Sequence, residues 1–224
     1  MAVKIGVLGG IGPEATSEFY SRLIIGLQEK GLVKSNQDYP QIIINSIPAP
    51  EIINDNISEE ELQPYIEGLK ELDKFNPDFI VMVCNTIHLF IDRLQKEVNS
   101  KIIDLREEVR EFLIRDSTKS VLIIGTPSTI RQGLYKFRDI RYLEPDKEEI
   151  SQLSDAIFKF NKGVDKKEQI QTVKKICEKY INKGAEKIIL GCTEFALMLD
   201  NENLPVINTI DILVECVLRK LYHN

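Results

Sequence analysis

Short apolar runs alternating with longer amphipathic stretches restrict the folds open to this chain more than any other feature. The runs are Lys4–Leu8, Ile42–Ser46, Phe79–Val83, Lys101–Ile103, Ser120–Gly125, Ile140–Leu143, Lys187–Leu190 and Pro205–Ile207. Most are apolar throughout instead of at every second residue, as parallel strands are when helices cover both faces. Between them, Phe19, Leu23 and Leu27 recur at helical spacing, as do Ile150, Leu153 and Ile157, and also Ile170, Val173, Cys177 and Ile181. Pro13 suits the first turn of a helix, and Ser58 with Glu61 suits a capping box. Pro64 either kinks that second helix or moves its start to near Gln63. Strand–helix alternation over the whole length indicates a doubly wound α/β architecture.

The 224 residues allow one large domain or two small lobes. No low-complexity linker marks a boundary, so any two lobes are closely joined. With 43% apolar and 29% charged residues, a sizeable core is available and wholesale disorder is excluded. The 35 acidic and 29 basic residues give a net charge of −6. That balance argues against a nucleic-acid or anionic-membrane partner, which both need a basic surface. No apolar run approaches the roughly 18 residues of a transmembrane helix, and the glycine-rich N-terminal stretch is too short for a secretory signal. A cytoplasmic chain with reduced thiols is expected.

Four cysteines then need a reading: Cys84, Cys177, Cys192 and Cys216. None belongs to a CxxC pair, and with only His88 and His223 available a multi-histidine metal site is excluded. Cys177 continues the apolar stripe of a helix and Cys216 sits among Leu213, Val214 and Val217, so both are expected to be packing residues. Cys84 and Cys192 differ. Phe79–Val83 leads into Cys84-Asn85-Thr86 and then a helical pattern with Leu89, Ile91 and Leu94. Lys187–Gly191 leads into Cys192-Thr193-Glu194 and then Phe195, Leu197, Met198 and Leu199. The two contexts lie 108 residues apart, about half the chain, which points to two related lobes.

Ligands of open parallel sheets bind beyond the carboxyl ends of the strands. A cysteine there faces the N-terminus of the next helix, which favours the thiolate. Either cysteine alone is as readily a small core residue; the repeated context shifts the balance toward chemistry. Two such thiols suit one reaction well, in which one removes a proton from carbon while the other delivers a proton to the opposite face.

The loop Gly9-Gly10-Ile11-Gly12-Pro13-Glu14-Ala15-Thr16 also follows a strand and opens a helix. It satisfies a loose dinucleotide pattern, but the second strand ends Ile44-Asn45-Ser46-Ile47-Pro48 with no acid until Glu51, so a ribose partner is missing. A tight turn, or a carboxylate bound at the helix N-terminus, fits better. Ser120–Gly125 runs into Thr126-Pro127-Ser128-Thr129, hydroxyls that cap a helix by default. No Gly-x-Ser-x-Gly elbow is present.

Four motifs in order, LGGIGPEAT (Leu8–Thr16), CNTIH (Cys84–His88), GTPSTIRQGLY (Gly125–Tyr135) and LGCTEF (Leu190–Phe195), make the chain resemble the aspartate/glutamate racemase family, in its aspartate-racemase branch. The similarity spans nearly the whole chain. It implies a cofactor-independent, metal-free racemase interconverting L- and D-amino acids, usually a homodimer. The implied fold has two pseudo-symmetric α/β lobes, each a parallel sheet flanked by helices, with the active site in the cleft between them. The corresponding lobes are residues 1–98 with 209–224, carrying Cys84, and 99–208, carrying Cys192.

By the same resemblance Cys84 and Cys192 are the proton-transfer pair. Asn85, Thr86 and Thr193 hold the substrate carboxylate and ammonium with the backbone near Ile11, and Thr126 and Thr129 line the cleft. Lys162, before Gly163, matches a substrate-binding lysine. Apart from the resemblance, His88, one turn beyond Cys84, and Glu194 are taken as auxiliary residues.

The chain departs from the aspartate-specific pattern after its second strand. There, Pro48-Ala49-Pro50-Glu51-Ile52-Ile53-Asn54-Asp55-Asn56 lacks the arginine that pairs with an acidic side chain. A bidentate arginine is hard to replace, and Glu51 or Asp55 would repel an acid. A neutral or polar side chain is therefore expected, with Glu51, Asn54 and Asn56 as the specificity residues, although Lys162 could still serve an acidic one. Two alternatives stay open: another cysteine-dependent enzyme on this scaffold (maleate isomerase, hydantoin racemase or decarboxylase), and a non-catalytic small-anion binding module.

Overall fold

All eight apolar runs form strands. The computed structural model describes residues 3–50, 52, 57–138 and 140–222. Its strands are β1 (Lys4–Gly9), β2 (Gln41–Ser46), β3 (Phe79–Met82), β4 (Lys101–Ile102), β5 (Ser120–Gly125), β6 (Arg141–Leu143), β7 (Lys187–Gly191) and β8 (Val206–Asn208). The helices are α1 (Pro13–Glu29), α2 (Glu59–Asp73), α3 (Ile91–Leu94), α4 (Leu105–Asp116), α5 (Pro127–Arg131), α6 (Lys147–Asn161), α7 (Lys166–Asn182), α8 (Thr193–Met198) and α9 (Thr209–Tyr222). No helix among the described residues is long and apolar enough to cross a membrane.

The strands form two four-stranded parallel sheets, ordered β2-β1-β3-β4 and β6-β5-β7-β8. The orders are the same once each sheet is numbered from its own first strand. The α/β architecture with parallel sheets flanked by helices is thus as the alternation indicated. The chain divides into two compact units, Met1–Glu51 with Ile57–Leu105 and Ile210–Asn224, and Ile52–Asn56 with Arg106–Thr209. Because β4 pairs with β3, the first unit runs on past residue 98 to Leu105.

In the first unit, β1 and β3 are buried along nearly their whole length, and β2 is a half-exposed edge strand with Ile44 at the surface. Phe19, Leu23 and Leu27 of α1 and Tyr65, Ile66, Leu69 and Leu72 of α2 close over the sheet. Each fully buried aliphatic or aromatic side chain of this kind contributes about 1.5–3 kcal/mol relative to exposure. Pro13 is the first residue of α1, and Ser58 and Glu61 make the capping box of α2. That box and three acids in the first turn start α2 at Glu59, so Pro64 lies inside the helix and the later start near Gln63 does not occur. α9 returns to α1, tied by the Arg22–Asp211 ion pair at 2.6 Å.

In the second unit, β5 is buried at all six positions and pairs with β7 from Val121↔Lys187 to Gly125↔Gly191. α6 and α7 carry the larger apolar faces. The buried stripe of α7 is Gln169, Val173, Ile176, Cys177 and Tyr180, so the expected Ile170 and Ile181 flank it instead of lying in it. At one end of that stripe Glu149 of α6, itself buried, accepts from the Tyr180 hydroxyl at 2.8 Å and the Lys179 ammonium at 2.5 Å.

Candidate active site

In each sheet one cysteine follows the strand that pairs with the sheet's own first strand. Cys84 stands just past β3 beside the end of β1, where Val83 N–H donates to the Leu8 carbonyl at 2.9 Å. Cys192 follows β7 directly, beside the end of β5 and Thr126. Both are largely buried, at 9% and 7% exposure. Cys177 and Cys216 are enclosed within helices α7 and α9, and none of the four cysteines is in a disulfide. Burial pushes the Cys177 thiol up to about 12, which leaves it inert at neutral pH.

Around Cys84, the glycine loop turns from β1 into α1. Gly10 and Gly12 both have φ near +84°, and a Cβ on Gly10 would lie 2.4 Å from the Ile47 carbonyl oxygen. Those positions belong to glycine on conformational grounds alone. Ile11 sits half-exposed between them, and Gly12 caps α1 without a side-chain acceptor. Thr16 accepts from Gly10 N–H at 3.0 Å and donates to the Gly12 carbonyl at 3.3 Å, so it ties the turn together. Asn85 and Thr86 are almost wholly buried next to Cys84.

The segment after Cys84 is not the α-helix that its apolar pattern indicates. Thr86–Phe90 is a 3-10 turn, followed by the single turn α3. The helix-dipole argument is correspondingly weaker here than the sequence pattern implied, because one or two short turns align few peptide dipoles. His88 is fully buried, and its Nδ1 lies 2.8 Å from the Cys84 carbonyl oxygen. Burial drives the His88 pKa down, against the raising influence of the Cys84 carbonyl and the Asp104 carboxylate.

Around Cys192 the groups are more polar. Cys192 is the N-cap residue of α8, yet its sulfur makes no capping bond. Instead the thiol donates to Glu194 Oε2 at 2.7 Å. Glu194 also accepts from the Thr193 hydroxyl at 3.3 Å, and its Oε1 accepts from the Asn161 side-chain amide at 3.0 Å. Gly191 lets the strand ends close up here, since a Cβ on it would lie 2.8 Å from the Ile124 carbonyl oxygen. Thr126 caps α5 by accepting from Thr129 N–H at 3.2 Å, and its hydroxyl reaches Thr129 Oγ1 at 3.2 Å. Both threonines are therefore partly engaged in the cap.

Lys162 is exposed at the C-cap of α6, one residue beyond Asn161. Asn161 is the residue that sequence reasoning passed over: its neighbour Lys162 drew notice only through the family resemblance, and its own partner lies 33 positions away. The expected specificity residues Glu51, Asn54 and Asn56 lie outside the described residues. Among the described residues, no group of three His, Cys, Asp or Glu side chains is placed to hold a metal ion.

A family model described as Asp/Glu/Hydantoin racemase matches residues 8–217. The chain belongs to the Asp/Glu/hydantoin racemase family. The broad specificity amino-acid racemase of Bacillus subtilis (strain 168) is 27% identical over 214 residues, covering 92% of each chain. A crystal structure of an aspartate racemase homologue from Pyrococcus horikoshii is 26% identical, covering 98% of this chain and 99% of its own, with a TM-score of 0.73. The fold is also that of the Picrophilus torridus aspartate racemase, with a TM-score of 0.80 at 23% identity and coverage of 99% and 95%.

Proposed function

We propose that this chain is a cofactor-independent amino-acid racemase in which Cys84 and Cys192 exchange protons with one substrate Cα. The observation that carries the reading is positional. In two parallel sheets of the same strand order, each thiol stands at the carboxyl end of the same strand. Binding alone would require neither sulfur. Family membership and the amino-acid racemase from Bacillus subtilis support the reaction class.

In this reading one cysteine, as thiolate, takes the α-proton, and the pair of electrons stays on the carbon. The other, as thiol, gives its proton to the opposite face. The product is the other enantiomer, and the two sulfurs have exchanged protonation states. The α-proton is only weakly acidic, so positioning and hydrogen bonding to the substrate carboxylate must lower the barrier. The backbone around Ile11 at the start of α1, with Asn85, Thr86 and Thr193, serves the carboxylate and ammonium; Thr126, Thr129 and Lys162 complete the set. Glu194 holds the Cys192 proton in its resting place and accepts it when Cys192 acts as the base.

The side chain taken is neutral or polar. What supports this is the absence of arginine between Pro48 and Asn56, together with Glu51 and Asp55 in that stretch. The enzyme is read as a cytoplasmic homodimer of two-lobed chains.

The test is incubation of the protein with separate L- and D-amino acids in D₂O, read by NMR. Deuterium should enter Cα, and asparagine, glutamine, serine or alanine should exchange faster than aspartate or glutamate. Absence of exchange with every amino acid would refute the racemase reading. Faster exchange of the acids would refute the side-chain preference alone.

A further inference from the structure

The turn after Cys84 does not close in the α-helical way. In an α-helical turn, the amide of residue 88 would donate to the carbonyl of residue 84. Here the turn is 3-10, and His88 N–H donates to Asn85 at 3.0 Å instead. The His88 ring reaches the Cys84 carbonyl from the side, with Nδ1 2.8 Å from its oxygen. A carbonyl can only accept, so Nδ1 carries the hydrogen and this tautomer follows from the partner.

We propose that His88 is the positioning residue for the Cys84 thiol, acting as a neutral, buried N–H donor that clamps the Cys84–Asn85 peptide. Two further observations fit that role. The ring is completely buried, and Nε2 has no hydrogen-bond partner among the described residues. A protonated ring would bury a positive charge, which the Cys84, Ile103 and Asn85 carbonyls and the Asp104 carboxylate favour but do not outweigh. Burial lowers the pKa accordingly, with Asp104 the charged group that acts on the ring and opposes the shift. His88 does not touch the reacting atoms. It holds the peptide from which the Cys84 side chain and the Asn85 amide project, and small misplacements of a reacting group are expensive in rate.

The inference rests on the racemase reading, and the test separates the two. Three forms are compared in D₂O with each enantiomer of the best substrate: wild type, His88→Leu and His88→Asn. Leucine fills space without a donor, and asparagine restores an N–H near the Nδ1 position. For H88L, kcat should fall about 10–100-fold with KM nearly unchanged. Cα exchange should fall mainly for the enantiomer that Cys84 deprotonates, and H88N should recover most of the loss. Equal loss for both enantiomers, no loss, or no recovery in H88N would overturn the positioning role. If H88L does not fold, H88N alone decides: near-normal kcat supports the donor role, and a loss like that of a cysteine variant overturns it. Absence of exchange in the wild type would instead overturn the racemase reading. The His88 ring resonances should not titrate between about pH 6 and 8, and a titration there would contradict the neutral clamp.

Discussion

The Cys192 thiol donates to the Glu194 carboxylate across 2.7 Å, and the two residues stand only two positions apart at the start of α8. The carboxylate gives this thiol a proton acceptor of its own. Cys84 has a different immediate neighbour, a neutral imidazole bound to its backbone. The two ends of the duplicated architecture therefore differ in chemistry although they agree in topology.

Glu194→Gln keeps the shape and removes the base. Turnover should drop about 10²-fold, the lower end of general acid–base contributions. The loss should be larger for the enantiomer deprotonated by Cys192, as measured by Cα exchange from each side. Equal loss for both enantiomers would mean that Glu194 only supports the local structure.

Asn161→Ala removes a single donor from Glu194 Oε1. The expected cost is about fivefold in kcat, the rate equivalent of one ordinary hydrogen bond of about 1 kcal/mol. Steady-state kinetics on the variant checks it, and an unchanged kcat would show the contact to be incidental.

Cys177 should behave as a core residue throughout. With its pKa pushed to about 12 by burial, only about 10⁻⁴ of it is ionised near pH 8. A thiol reagent should therefore modify it only after unfolding. Cys177→Ala should lower stability by about 1 kcal/mol in denaturant titration and leave turnover unchanged. Labelling of Cys177 in the folded protein at the rate of an exposed thiol would contradict this.

Stability in acid should depend on Glu149. Burial opposes its ionisation, but bonds from Lys179, the Asp146 backbone and Tyr180 outweigh that and the repulsion from Asp146, holding its pKa below the ordinary 4.5. A carboxyl depressed in the folded state contributes stability above its unfolded pKa. The contribution is lost as pH falls from about 4.5 through the folded value. The urea midpoint of the wild type should therefore decline below about pH 4.5 more steeply than that of Glu149→Gln. Parallel curves would remove Glu149 from the account.

The strands were legible because strands covered on both faces need no alternation, so β5 could be bounded correctly from its apolar run alone. The partial exposure of edge strand β2 was not, since a run such as Ile42-Ile43-Ile44 looks the same at a sheet edge as in its middle. The matching strand-end positions of Cys84 and Cys192 were legible through their repeated context. Glu194 was named, but its bond to Cys192 depends on a side chain turning back along the helix start. Asn161 was missed because its contact joins α6 to α8, which no local pattern encodes. The 3-10 turn after Cys84 has the same apolar spacing as a short α-helix, so only the structure reveals the contact between the His88 ring and the Cys84 carbonyl.

The central claim is that one substrate carbon is served by two thiols, and single replacement of each tests it most directly. Cys84→Ala and Cys192→Ala should both lose racemisation, while each retains Cα deuterium exchange for one enantiomer, and for opposite ones. Near-normal racemisation by either variant would contradict the account.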